Sequence, residues 1–394
     1  MNAIFSKLNE IANKDERLII GLMSGTSLDG LDIALVQIRG FGENTSVKLL
    51  AFETVDYSDE LRGRLKRVCF NKNVDLESIC LINKYLGVLY AKWLNAFLTK
   101  YNYRAEAIDL IASHGQTIYH SPAKSRINDE IGNATLQIVD ADQIAVHTGI
   151  ITLSDFRQKN IAQGEEGAPL ALYGDYLLFK NNAENRILLN IGGIANFTLL
   201  PKNTGFNSVL STDVGPGNTI MNQYVQANFK GLSFDEDAKI ALNGVFHQNL
   251  VDQLMSHSFF SENFPKTTGP EVFNLTYLEQ ALSKLGMSLS KEDVLASLNR
   301  FTATGIAFAV KKYFSKEDEP VIYLSGGGTH NPLLIKNLKE LIPYAVLKNT
   351  SDLGLDADAK EAILFALLAN ETIAGDYKIF NSKTLSMGKI SLPY

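Results

Sequence analysis

Short apolar runs separated by glycine and polar turn residues open the chain. Leu18 to Met23 (LIIGLM) is rich in Ile and Leu, SGTSLDG supplies turn chemistry, and Leu31 to Ile38 (LDIALVQI) resumes the apolar pattern. Runs of this length, bounded in this way, predict strand, polar turn and strand, and Val47 to Val55 predicts a third strand. From Ser58 to Lys100 the apolar spacing changes to three and four, as in Leu61, Leu65 and Val68 and then Leu81, Tyr85 and Leu89, so two helices follow. Asp109 to Ser113, Thr135 to Val139 and Ile150 to Asp155 predict further strands, with a short helix over Ala141 to Thr148 before the last of them. Ahead of all this, MNAIFSKLNEIANKDERL alternates charged and apolar positions and predicts a short amphipathic helix.

The same order then begins again. Arg186 to Asn190 is apolar, Ile191-Gly192-Gly193 makes a turn, Ile194 to Leu200 resumes as strand, and Ser208 to Val214 is a third. Helical spacing returns over Asn218 to Phe229, Glu236 to Leu254 and Val294 to Phe314. Val321 to Ser325, the run Gly326-Gly327-Gly328 and a helix over Pro332 to Leu341 follow. Strands and then helices after each glycine turn point to an internal duplication, and a repeat this long makes two domains rather than a solenoid. The 394 residues suffice for that. The boundary is expected near Ile151, ahead of DFRQKNIAQGEEGAPL, which is too polar and glycine-rich for a core element and suits a loop beside a cleft.

Composition narrows the class. Hydrophobic residues are 45% and charged residues 20% of the chain, which excludes disorder and fibrous repeats. Thirty-seven Lys+Arg against 43 Asp+Glu give a net charge of −6, without the basic surplus that nucleic acid or an anionic membrane would need. Cys69 and Cys80 form no Cys-x-x-Cys pair, so neither a zinc site nor a disulfide framework is expected. The N-terminal residues lack the basic start and unbroken apolar stretch of a signal peptide. The longest apolar runs, such as Ala362 to Ala369, fall far short of the roughly 20 residues of a bilayer span. A cytoplasmic location is therefore expected.

Six segments carry candidate chemistry. In Ser24-Gly25-Thr26-Ser27-Leu28-Asp29-Gly30, small residues and hydroxyls lie between two strands, so backbone N–H groups could reach a phosphate tail; the alternative is a polar hairpin corner marked by Asp-Gly. It is not a Walker loop, because no lysine is present. Cation neutralisation would come from Mg²⁺ held through water by Asp29 or Asp32. Gly326-Gly327-Gly328 joins a strand to a helix start, where a nucleotide can approach backbone. Asp213, in Thr212-Asp213-Val214-Gly215-Pro216-Gly217-Asn218, is expected at the end of a strand before a turn that opens a helix, as either a helix cap or a general base. Ser113-His114-Gly115-Gln116-Thr117 gathers hydrogen-bonding side chains suited to a polyhydroxyl ligand, although a buried, internally satisfied His114 fits equally. Arg157 could clamp a carboxylate or pair with Asp155 or Glu165, and Glu361 is either a site residue or an ordinary solvated helix charge.

Taken together, GLMSGTSLDGLDIAL (21–35), SHGQTIYH (113–120), TLSDFR (152–157), GAPL (167–170), LNIGGIANFTLL (189–200), DVGPGN (213–218), SGGGTHNP (325–332) and DAKEAILFALLA (358–369) resemble the 1,6-anhydro-N-acetylmuramic acid kinases of the sugar kinase, Hsp70 and actin superfamily. The resemblance implies an α/β fold of two actin-like, ribonuclease-H-like domains flanking a nucleotide and substrate cleft. Domain I would be 1–151 with 371–394, and domain II 152–370. It implies ATP and Mg²⁺ as cofactors, with Gly25, Thr26, Ser27, Leu28, Asp29, Gly30, Leu31 and Asp32 on the phosphates and Gly326, Gly327 and Gly328 on the nucleotide. Asp213 would be the catalytic base, and Thr117, Arg157 and Glu361 would position the sugar or its lactyl carboxylate. A homodimer is implied as well. The chain departs from the family pattern after Arg157, at Gln158, Asn160, Glu165 and Glu166, and the two glutamates add acids beside an anionic ligand. Two other readings fit the same segments: a kinase of another sugar, or an ATP-switched binding protein of the actin or Hsp70 type.

Overall fold

The structure is a computed structural model that describes residues 3–123, 130–167, 170–286, 288–355, 358–375 and 387–394. It divides into two compact units, Met1–Leu178 with Leu355–Tyr394 and Phe179–Gly354.

Unit 1 opens with helix α1 (Ala3–Ala12), the expected amphipathic helix, which buries Ile4 and Ile11. Strands β1 (Glu16–Ser24), β2 (Gly30–Arg39) and β3 (Ser46–Asp56) form an antiparallel meander. Helix α2 (Asp59–Val68) starts at Ser58, whose hydroxyl accepts the Leu61 amide, and α3 (Leu76–Lys100) starts at Asp75, which accepts the Ser78 amide. Strand β4 (Leu110–Ser121) then runs parallel to β1, β5 (Ala134–Ile138) pairs with β4, and α4 (Ala141–Thr148) leads to β6 (Thr152–Ser154), parallel to β4. Helices α5 (Gln158–Ala162) and α6 (Ala171–Phe179) follow.

Unit 2 repeats the plan. Strands β7 (Arg186–Ile191), β8 (Ile194–Leu200) and β9 (Leu210–Pro216) are an antiparallel meander. After helices α7 (Thr219–Asn228), α8 (Gln248–Met255), α9 (Leu275–Leu285) and α10 (Lys291–Tyr313), strand β10 (Val321–Ser325) runs parallel to β7. Helix α11 (Pro332–Leu341), capped by Asn331, and strand β11 (Val346–Asn349), parallel to β10, complete it. The chain then returns to unit 1 as α12 (Lys360–Ala374) and β12 (Lys389–Ser391), which pairs with β6. The strand orders β12-β6-β4-β1-β2-β3 and β11-β10-β7-β8-β9 share one scheme, a three-strand meander whose first strand takes the parallel strands on its other side. That is the duplicated α/β architecture expected from the two hairpins.

Two expectations differ from the structure. The unit boundary falls at Leu178 and Leu355, not at 151 and 371, because β6 joins the first sheet and α12 packs on β1, β2 and β4. Gly21 on β1 allows that close approach: a Cβ there would run into the Ala362 carbonyl oxygen. Glu236 to Leu254 is not one helix. Asp237 and Ala238 take left-handed backbone angles, and the Asp235 carboxylate accepts the amides of Ile240 and Ala241, so short 3₁₀ turns form at Glu236–Ala238 and Ala241–Asn243 and only α8 is α-helical. Ala168 and Pro169 of the GAPL segment and residues 376–386 of the expected domain I lie outside the described residues.

The unit 1 core gathers β1 to β4 with α2 and α3, including Leu22, Leu35, Leu65, Tyr90 and Ile111. In unit 2, α10 is buried on both faces: Ala303, Ile306 and Val310 meet the sheet, while Leu295, Leu298 and Phe301 meet α7, α8 and α9.

Candidate active site

The first turn is anchored from beneath. Ser24 Oγ lies 2.6 Å from Tyr57 Oη, which is 2.5 Å from Tyr90 Oη, and Ser24 Oγ also donates to Gln116 Oε1 at 2.6 Å. Gln116 Nε2 donates onward to the Gly25 carbonyl at 3.2 Å, and Trp93 stacks on both tyrosine rings. Leu28 has a φ of 61° yet is buried, so its side chain pins a turn that the bare backbone would not favour. The result is a fixed turn that exposes Thr26, Ser27 and Asp29. Leu28 and Leu31 point into the core and can offer a ligand only backbone. Asp32, half-buried on β2, accepts from Thr54 Oγ1 at 2.6 Å; burial and the nearby charge of Asp358 raise its pKa.

Unit 1 also brings Arg157, Glu361 and Asp32 into one electrostatic group. Arg157 follows β6; its Nε donates to His114 Nε2 at 3.0 Å and its Nη1 to the Gly167 carbonyl at 2.8 Å. It pairs with neither Asp155, which is engaged by Lys389, nor Glu165, which accepts from Asn160 Nδ2 at 2.7 Å. Glu361 opens α12; although the residue is solvent-exposed, crowding around its carboxyl and the charge of Asp32 raise its pKa, against Lys360 and Arg157, which lower it. Thr117 is buried on β4, three residues beyond His114, and its Oγ1 accepts from Gln137 Nε2 at 3.3 Å. The acids expected to oppose an anionic ligand are thus partly accounted for, since Glu165 is exposed and tied to Asn160.

In unit 2 three glycine turns converge. The amides of Gly217 and Asn218 donate to the carbonyls of Gly193 and Gly192 at 2.9 and 2.8 Å, locking the turn that opens α7 to the second hairpin. Gly326, at a φ of +83°, sits where a Cβ would come within 2.6 Å of Asn190 Oδ1 and 2.7 Å of the Ile191 carbonyl, so only glycine fits. Gly327 and Asn218 line a recess of about 510 Å³ shared with Met221, Asp235, Asn299 and His330, next to the capped N-terminus of α11.

Asp213 stands in β9, not at its end, opposite Asn196 and beside a bulge at Val214 of its own strand. Its backbone amide donates to Lys266 O at 3.0 Å, and its Oδ2 accepts the Thr268 amide at 2.9 Å. Oδ1 takes no hydrogen bond from the described residues. Burial raises the pKa of Asp213 and the Thr268 amide opposes that shift. Asp213 does not cap α7, whose first residue is Thr219. Thr268, Tyr57 and Tyr90 carry no local motif and reach these positions only through tertiary packing. Among the described residues no group of three His, Cys, Asp or Glu side chains gathers as for a metal ion. A cation here would rest on one carboxylate with water and phosphate for the rest of its shell, the usual way of binding Mg²⁺, and exposed Asp29 suits that. Among the described residues no helix is long and apolar enough to cross a membrane.

The sequence model of the anhydro-N-acetylmuramic acid kinase family matches residues 17–385. An anhydro-N-acetylmuramic acid kinase of Pseudoalteromonas atlantica is 52% identical over 400 aligned positions, covering 100% of both chains. One of Pseudoalteromonas translucida is 50% identical over 398, covering 99% of each. One of Caldanaerobacter subterraneus is 38% identical over 399, covering 98% of this chain and 100% of that one. With the duplicated fold, the anchored first turn and the half-buried carboxylate of the DVGPGN segment all in place, this chain belongs to the anhydro-N-acetylmuramic acid kinase family.

Proposed function

We propose that the chain is an ATP-dependent kinase that opens the 1,6-anhydro ring of anhydro-N-acetylmuramic acid with water and phosphorylates O6. It releases N-acetylmuramic acid 6-phosphate and ADP, a step of peptidoglycan recycling. Asp213 carries this reading: a half-buried carboxylate with one oxygen fixed by the Thr268 amide and the other left to take a proton. Asp213 deprotonates a water as that water attacks C1; the C1–O6 bond breaks, O6 takes the γ-phosphoryl, ADP leaves, and the proton passes from Asp213 to solvent. The exposed hydroxyls and amides of Gly25 to Gly30 hold the phosphates, and Gly326 to Gly328 and the recess beside Asn218 hold the nucleoside. Asp29 holds Mg²⁺ through water; when bound, the ion neutralises charge on the phosphates. Thr117 and Glu361 orient the sugar ring, and Arg157 receives the lactyl carboxylate, for which its guanidinium is suited. The enzyme works as a homodimer, as the family resemblance implies, in the cytoplasm, where ATP is made.

The test is ADP release in H₂¹⁸O with the anhydro sugar and, separately, with N-acetylmuramic acid. Sugar-dependent ADP with one ¹⁸O at C1, seen only with the anhydro sugar, is the expected result. ADP release with N-acetylmuramic acid and no label would make this a kinase of free hydroxyls, and no sugar-dependent ADP would remove the substrate assignment.

A further inference from the structure

Arg157 is a half-buried guanidinium with no ion-pair partner among the described residues. Its two hydrogen-bond partners among the described residues, His114 Nε2 and the Gly167 carbonyl, are both neutral acceptors. An arginine Nε can only donate, so His114 Nε2 must carry the lone pair. His114 Nδ1 then carries the hydrogen and donates to the Gly115 carbonyl at 2.9 Å. Phe365 of α12 holds the imidazole plane, with ring centroids 4.7 Å apart. Burial and the charge of Arg157 push His114 down to about 3, so the ring stays neutral at working pH. Nη2 makes no hydrogen bond to a described residue and keeps both its N–H groups.

We propose that His114 is a positioning residue: as a fixed neutral acceptor it locks the Nε edge of Arg157 and aims the free Nη2 end, still carrying its full charge, at the carboxylate of the sugar acid. Any anionic partner in place of His114 would neutralise Arg157 and compete with the ligand, whereas a neutral acceptor directs without cancelling. The inference rests on Arg157 receiving the lactyl carboxylate.

The test is calorimetric binding of two sugars, anhydro-N-acetylmuramic acid and carboxylate-free 1,6-anhydro-N-acetylglucosamine, to the full chain and to Arg157→Ala, His114→Phe and His114→Gln. The glutamine Oε1 lies near the place of Nε2 and can accept from Arg157, while phenylalanine keeps the ring and removes the acceptor. His114→Phe is expected to weaken the acidic sugar by about tenfold and leave the neutral sugar unchanged, and His114→Gln to restore the acidic sugar's affinity. Arg157→Ala is expected to show the same selectivity, more strongly. If Arg157→Ala is selective and His114→Phe weakens both sugars equally or neither, the positioning role is overturned and the reading of Arg157 stands. If Arg157→Ala is not selective, both are overturned. Should the phenylalanine variant fail to fold, the glutamine variant decides alone: selective loss of the acidic sugar despite the retained acceptor would overturn the proposal.

Discussion

Asp213 can act as a base only while ionised, and its surroundings set the pH at which that is so. Burial disfavours the charged form more than the Thr268 amide favours it, so its pKa lies above the ordinary carboxylate value. The sign follows: as pH falls, Asp213 takes up its proton earlier than a surface aspartate would, and the base is lost. The acid limb of kcat/KM for the anhydro sugar is expected at higher pH than an ordinary surface aspartate would give, and no step near 6.5 should come from His114, which is already neutral there. Asp213→Asn is expected to lower kcat by about a thousandfold or more while calorimetry shows ATP still bound. Substantial remaining turnover would place the base elsewhere. Asp213 was legible in the sequence because its strand, turn and helix start are contiguous. Its partner Thr268 was not, because an amide 55 residues away leaves no trace in local pattern.

At the scale of elements, the first hairpin shows how a turn without a lysine is kept rigid enough for the phosphate-binding role proposed for it. Its polar residues face outward, and beneath them the Ser24, Tyr57, Tyr90 and Gln116 groups satisfy one another in the core. Tyr57→Phe removes the middle hydroxyl of this buried network, on which both Ser24 and Tyr90 lean, and costs about 1–3 kcal/mol. The expected outcome is a lower unfolding midpoint together with a severalfold rise in KM for ATP and none for the sugar; an unchanged KM for ATP would separate the network from phosphate binding. The turn itself could be read from SGTSLDG, since glycine and Asp-Gly between apolar runs have few other uses. Its anchor could not, because Tyr57 follows β3 and Tyr90 lies within α3, and only packing joins them. The broken helix over Glu236 to Leu254 has the opposite origin: apolar spacing there is helical, but Asp235 offers its carboxylate to two amides and stops the helix from forming.

At the scale of the whole molecule, unit 2 is an insertion in unit 1, because the chain leaves at Leu178 and returns at Leu355. The strand-and-helix rhythm revealed the duplication but not this crossing, since α12 looks equally apolar whichever sheet it covers. Its placement has an energetic consequence. Ile363, Leu364, Phe365, Leu367 and Leu368 are all buried, and at about 1.5–3 kcal/mol for each large side chain, α12 contributes on the order of 10 kcal/mol to unit 1. That is as large as the net stability of a typical domain, about 5–15 kcal/mol. A chain ending at Gly354 should therefore fail to form unit 1, leaving β1 and β4 uncovered beside Gly21. Phe179–Gly354 is continuous, has its own sheet and two cores, and should fold alone. Expressed separately, it is expected to unfold in one cooperative transition by circular dichroism and to bind ADP weakly through the glycine turns, with no kinase activity. It lacks Thr117, Arg157 and Glu361, the residues proposed to hold the sugar acid. Cooperative unfolding of the 1–354 chain with a native-like unit 1 would show that α12 is dispensable, and would detach Glu361 from the scaffold that places it.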